Sequence, residues 1–175
     1  MRKSELRQQM RQIKRQFSLQ QLEELSLPIV ARLKDRVKDA QTVVAYFPLP
    51  DEVDIRPLLD DLVAEGKTVL LPKVIDSETM ELRRYTDIHD LCEGAFHIME
   101  PVGETYTDHT QIDVILVPGL AFDAARRRLG RGRGYYDRFL SEYRWTASVF
   151  GVCFDFQKVA EVPTDEHDIP VDEVI

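Results

Sequence analysis

Long apolar runs are missing from this chain: none approaches the ~20 residues a membrane-spanning helix needs. The opening stretch MRKSELRQQM lacks an apolar core, so it reads as a helix and not as a secretion signal. Glu5, Glu23 and Glu24 argue against a transit peptide. Cysteine is scarce. Cys92 and Cys153 stand alone, without CxxC or metal spacing, which excludes a disulfide scaffold and fits reduced thiols in a cytoplasmic protein. The four histidines show no zinc spacing, and no Ser/His/Asp or Cys/His set presents a nucleophile. Basic residues are also in deficit, 23 against 31 acids for a net charge of −8, which argues against broad nucleic-acid binding. No repeat, linker or low-complexity tract divides the 175 residues, so residues 1–175 are expected to form a single domain.

What is present is an alternation of two periods. Leu6, Met10, Ile13 and Phe17 recur at helical spacing and predict a helix over 3–16. Ser18 and Gln21 form a capping-box start for a second helix, which Pro28 should kink or split. TVVAYF (42–47), Thr68–Val74, 80–86, Asp113–Val117 and Ser148–Phe154 read as strands, with 80–86 half exposed at a sheet edge. Helices are expected near 55–63, closed by Gly66, and from Tyr135 to Tyr143, with a short strand or extended tail at VDEVI. The fold class is therefore α/β: three layers, a mostly parallel sheet with helices on both faces. Such sheets bind ligands beyond the C-terminal ends of their strands, where PLPDEVD (48–54) and an Arg/Gly loop both fall.

That loop lies in VPGLAFDAARRRLGRGRGYYDRFL (117–140). Six arginines between Arg126 and Arg138 face one acid, Asp137, on an otherwise acidic chain. Gly130, Gly132 and Gly134 let backbone amides approach an anion, and a helix start follows them. The pattern is neither a Walker A loop nor a dinucleotide fingerprint. Phosphate binding, with Arg128, Arg131 and Arg133 as bidentate donors, is the leading reading; an arginine-rich RNA patch and a solvated turn are the alternatives. Asp137 reads equally as an ion-pair partner or as a magnesium ligand beside phosphate oxygens. Tyr135 and Tyr136 point about 100° apart on a helix, so one belongs to the core and the other can meet a ligand. Lys3 and Arg7 share a helix face, either as a solvated edge or as a second phosphate clamp. Glu52 is a solvated loop acid or a partner for heterocycle N–H groups. Phe47 and Phe96 are core residues or ligand walls.

PGLAFD…RLGRGRGYYDRFL resembles the signature of the 5-formyltetrahydrofolate cyclo-ligase (methenyltetrahydrofolate synthetase) family. The likeness continues through K-x-x-L-R at Lys3–Arg7, AYFPLPDEVD, EGKTVLLPKV, Glu100-Pro101 and VPTDEHDIPVDEV. The resemblance implies a fold of the ribose-phosphate isomerase/CoA-transferase type. It also implies an ATP- and magnesium-dependent ligase converting 5-formyltetrahydrofolate to 5,10-methenyltetrahydrofolate, with ADP and phosphate released. By that resemblance Lys3, Ser4, Glu5, Leu6 and Arg7 contact ATP, and Arg128, Leu129, Gly130, Arg131, Gly132, Arg133, Gly134, Tyr135 and Tyr136 cradle its phosphates. Asp137 and Asp168 hold Mg2+. Phe47, Glu52 and Phe96 bind the folate, together with the stretch from Arg131 to Tyr135 where nucleotide and folate meet. Arg131, Arg133 and Tyr135 carry the catalysis. The partner is then a small molecule, with no nucleic acid and no membrane, and the protein a monomer or weak dimer. Other readings are a phosphosugar isomerase or acyl-CoA enzyme on a similar sheet, and an arginine-rich RNA-binding module. One departure stands out: Arg126 occupies a turn where the family commonly has glycine. A positive φ there implies strain, unless the loop is built differently.

Overall fold

All of strand β1 (Thr42–Val44) is buried in the computed structural model, which describes residues 1–143 and 146–175. Helices α1 (Lys3–Lys14) and α2 (Leu19–Arg36) precede it, and α3 (Arg56–Ala64), β2 (Thr68–Val74) and β3 (Met80–Tyr85) follow. A hairpin of β4 (Leu91–Glu93) and β5 (Met99–Pro101) leads to β6 (Thr105–Tyr106) and β7 (Val114–Pro118). A second hairpin, β8 (Ala121–Phe122) with β9 (Arg128–Leu129), precedes α4 (Tyr135–Tyr143), β10 (Ser148–Val152) and β11 (Glu173–Val174).

The seven-stranded sheet runs β11-β10-β7-β1-β2-β3-β6. Every pairing from β11 to β2 is parallel, while β2–β3 and β3–β6 are antiparallel. Side chains alternate across the sheet and so build two cores. On one face Val43, Ala45, Val69, Leu71 and Leu116 pack with Ile29 and Leu33 of α2 and with Leu58 and Leu62 of α3. Val44, Leu70, Ile115, Val117 and Val149 pack on the other face with Phe139 and Leu140 of α4. A third cluster joins Leu6 and Met10 of α1 to Leu120, Ala121, Leu129 and Val162.

The expected three-layer α/β architecture is present, with shifted ends. The first helix stops at Lys14, and TVVAYF pairs as a strand only through Val44. Pro28 does not split α2, which runs unbroken from Leu19 to Arg36. Both Pro28 and Glu24, whose carbonyl loses a donor, are exposed, so that carbonyl is not stranded in the core. The strand at 80–85 is not the edge itself, because two residues of β6 pair beyond it. Arg126 adopts φ +66° in the turn between β8 and β9. Its amide donates to the Asp123 carbonyl (2.9 Å), its carbonyl accepts from the Val171 amide (3.0 Å), and its Nη1 donates to the Asp172 carbonyl (3.0 Å). The strained version of the turn is therefore the one built here. No helix among the described residues is long and apolar enough to cross a membrane.

Candidate active site

Strands β1, β2 and β7 end on one cavity of about 1060 Å3, lined by Tyr46, Pro72, Pro118 and Gly119 at their C-terminal ends. This is where the connections diverge, β1 leading to β2 on one side and β7 to β10 on the other, the position at which open parallel sheets take ligands. The volume lies just above the usual range of single-ligand pockets, roughly 300–1,000 Å3. Gly119 is required at the floor, because a Cβ there would lie 2.8 Å from the buried Phe122 ring.

Arg128 returns along β9 into this floor. Its side chain is buried, its Nε donates to the Pro118 carbonyl at 2.7 Å, and its guanidinium lies 5.0 Å from the centre of the Tyr136 ring. Among the described residues no carboxylate comes within 4 Å of it. Burial pulls Arg128 below its ordinary value, opposed by more distant charges, first Asp137. A buried cation with unused donors facing a cavity is an anion site.

The glycine run closes over it. Gly132 (φ +110°) and Gly134 (φ +73°) are left-handed, whereas Arg131 and Arg133 are not. That alternation is the backbone condition for a nest of converging N–H groups. The Gly134 carbonyl accepts from the Arg138 amide at 3.1 Å to open α4, whose first-turn residues Tyr135, Tyr136 and Asp137 line the cavity. Arg138 holds the loop from behind, donating to the carbonyls of Ser77, Glu78 and Arg133 and covering the Tyr135 ring at 5.4 Å. Both tyrosines face the cavity, so the expected division of labour is only partial. Tyr136 also packs into the core under Arg128, and burial pushes its hydroxyl well above the ordinary range.

The chain's beginning and end complete the wall. Arg7 Nε donates to the Gly130 carbonyl at 2.9 Å, and Lys3 bridges Asp165 (2.9 Å) and Asp168 (2.6 Å). Burial alone would depress the Lys3 ammonium, but these carboxylates hold it above its usual value. Lys3 and Arg7 line the cavity and are no solvated edge. Ser4, Glu5 and Leu6 do not line it. Ser4 and Glu5 are exposed, Glu5 pairing with Arg2, and Leu6 is 4% exposed in the third core. The helical period turns positions 3 and 7 of that stretch toward the cavity. Leu129 lines the cavity and also packs in that core.

Asp137 and Asp168 both face the cavity. Asp137 is half-buried, and its Oδ1 accepts from the Ile169 amide at 3.1 Å. Burial raises its carboxyl, with Asp168 adding repulsion and Ile169, Arg128 and Lys3 opposing. A carboxylate desolvated beside a second one favours a bound cation. Among the described residues no three His, Cys, Asp or Glu side chains gather to hold a metal by themselves. Two carboxylates beside an anion nest fit magnesium, which takes one or two carboxylates and completes its shell with phosphate and water.

At the opposite wall, Glu52 Oε1 accepts from the Leu49 amide at 2.8 Å and Oε2 lies 3.6 Å from Arg131. Burial raises the Glu52 carboxyl, with the Leu49 amide and Arg131 pulling it back. Phe47 is half-buried, 6.5 Å from the Tyr85 ring, and lines the cavity. The backbone of Phe96 lies in the short 3-10 helix Ala95–His97, while its side chain lies outside the described part of the structure. Sequence reasoning missed Arg138 and Lys14. A signal existed for each: Arg138 follows Gly134 by one helical turn, and Lys14 follows Met10 by four on the buried stripe.

The sequence model of the 5-formyltetrahydrofolate cyclo-ligase family matches residues 1–175. The chain belongs to this family. As a cyclo-ligase family member it is a ligase, which sets aside the isomerase, acyl-CoA and RNA-binding readings. It is 36% identical over 154 residues to the probable 5-formyltetrahydrofolate cyclo-ligase of Schizosaccharomyces pombe, covering 79% of this chain and 76% of the relative. The mouse cyclo-ligase is 28% identical over 185 residues, covering 99% and 90%. Among solved structures, the 5,10-methenyltetrahydrofolate synthetase of Aquifex aeolicus superposes with a TM-score of 0.85 at 39% identity, covering 99% of this chain and 89% of that one. A synthetase from Mycoplasma pneumoniae shares the fold, with a TM-score of 0.82 at 24% identity.

Proposed function

We propose that this cyclo-ligase family member joins the formyl carbon of 5-formyltetrahydrofolate to N10, consuming ATP and yielding 5,10-methenyltetrahydrofolate, ADP and phosphate. The observation that carries the reading is one cavity with an anion nest and the buried, carboxylate-free Arg128 at one side, and Glu52 with Phe47 at the other.

A formyl amide is a poor electrophile, and its oxygen leaves poorly as hydroxide. Transfer of the terminal phosphoryl group of ATP to that oxygen releases ADP and gives an iminium phosphate at N5. N10 then attacks the same carbon and gives up its proton, and the C–O bond breaks with phosphate leaving. The chain's work is positioning and charge stabilisation. Arg7, Arg128 and the amides of 130–134 grip the phosphates, and Arg131 and Arg133 meet the charge of the transferring group, with Tyr135 beside them. Glu52 accepts from the pterin N–H groups, and Phe47 flanks the ring. Asp137 and Asp168 would hold magnesium, which would supply positive charge beside the phosphate oxygens. Lys3, held by Asp165 and Asp168, places its ammonium at the cavity wall for the nucleotide. We further assign the protein to the cytoplasm, as a monomer or weak dimer.

The test is the absorbance rise of the methenyl product when protein, 5-formyltetrahydrofolate and Mg-ATP are mixed, with ATP omitted as the control. Arg131→Ala is expected to lower turnover on the order of 10²–10³. No product with wild-type protein, or full activity in the variant, overturns the respective claim.

A further inference from the structure

Lys14 is the last buried position on the inner stripe of α1, after Leu6 and Met10, and it is 5% exposed. A desolvated ammonium at a place suited to leucine is unfavourable unless its charge is used. Among the described residues one carboxylate lies within 4 Å: Asp51 Oδ2, at 3.7 Å from Nζ. The other Asp51 oxygen, Oδ1, lies 3.4 Å from Arg131 Nη2, which is also 3.6 Å from Glu52 Oε2. Charges thus alternate in a line from the helix interior to the cavity rim: Lys14, Asp51, Arg131, Glu52. Burial lowers the Lys14 ammonium below its usual value, with Asp51 and Glu52 resisting and Arg131 adding to the effect.

Asp51 is half exposed and belongs to a loop, so by itself it is a mobile anchor for a guanidinium. Lys14 comes from a helix packed into a core, and it reaches the side of the carboxylate that Arg131 leaves unused. We propose that Lys14 is a positioning residue, which fixes the Asp51 carboxylate and through it holds Arg131 at the cavity rim beside Glu52. The inference rests on the role given to Arg131 under the proposed function. It adds a second consequence: when Arg131 turns to the phosphoryl group, Asp51 keeps a cation and does not pull it back.

Lys14→Met keeps the volume and apolar fit of the stem while removing the charge. The expected result is an unchanged or higher melting temperature, a kcat lower by about 10- to 100-fold, and KM for 5-formyltetrahydrofolate within about twofold of wild type. Lys14→Arg should recover most of the kcat. Asp51→Asn breaks the same line without touching the core and should lower kcat equally, with the double variant no worse than either single one. If Lys14→Met fails to fold, Lys14→Gln takes its place, with the same loss of kcat expected. Wild-type kcat in either variant, or additive losses in the double variant, overturns the inference. Loss of Mg-ATP-dependent turnover in wild type would instead sink the proposed function, so the two failures are distinguishable.

Discussion

The guanidinium of Arg128 lies over Tyr136, 5.0 Å from the ring centre, with its Nε on the carbonyl of Pro118. Strand β7, strand β9 and helix α4 meet through this one side chain. The ring and the carbonyl fix its position, and its remaining donors face the cavity.

Arg128→Leu is therefore expected to leave the fold standing, because replacing a buried charge by an apolar group is often neutral or stabilising. Turnover should fall on the order of 10²–10³. Arg128→Lys keeps the charge but not the planar fork, and should recover only a small part of the loss. Thermal unfolding together with steady-state kinetics checks both; an active leucine variant would falsify the anion role.

The raised carboxyl of Asp137 has a signed consequence. The folded protein binds that proton more tightly than the unfolded chain does. Between the ordinary carboxylate range and the raised value, stability falls as pH rises; above it, the ionised group remains a destabilising one. Asp137→Asn should raise the melting temperature by a few degrees at neutral pH without magnesium, with the gain fading in acid. It should also blunt the magnesium dependence of turnover. An unchanged magnesium titration would remove Asp137 from the metal site.

Arg126 at φ +66° carries the strain of a side chain in the left-handed region, about 1–2 kcal/mol. Arg126→Gly relieves it, offset by the greater freedom of glycine in the unfolded chain, roughly 0.5–1 kcal/mol, and by the lost bond to the Asp172 carbonyl. These terms nearly cancel, so the glycine variant should match the wild-type melting temperature, with activity unchanged. Arg126→Ala keeps the strain and loses the bond. Alanine should therefore melt lowest of the three, and an alanine variant as stable as the glycine one contradicts the strain.

The layers were legible because burial on both faces writes itself as short apolar runs, as in Thr42–Val44 and Val114–Pro118. The Arg/Gly loop was legible because left-handed backbone at Gly132 and Gly134 demands glycine. Local spacing says nothing about contacts across the fold. A motif taken as a string gives Ser4, Glu5 and Leu6 the same weight as Lys3 and Arg7, although a helix turns them outward or into a core. The helical stripe put Lys14 in line with Leu6 and Met10, but an ammonium at that position reads as solvated until the packing of α1 takes it out of water. Pro28 misled for a similar reason: its effect depends on whether solvent reaches the carbonyl one turn earlier.

Arg7 grips the backbone 123 residues further on, and Lys3 grips Asp165 across 162. A growing chain on the ribosome can assemble most of the parallel sheet while these two cations still have nothing to hold. The candidate pocket is thus the final piece to click shut, and a nascent chain that has not yet reached Asp165 lacks the anchor for its Lys3 wall.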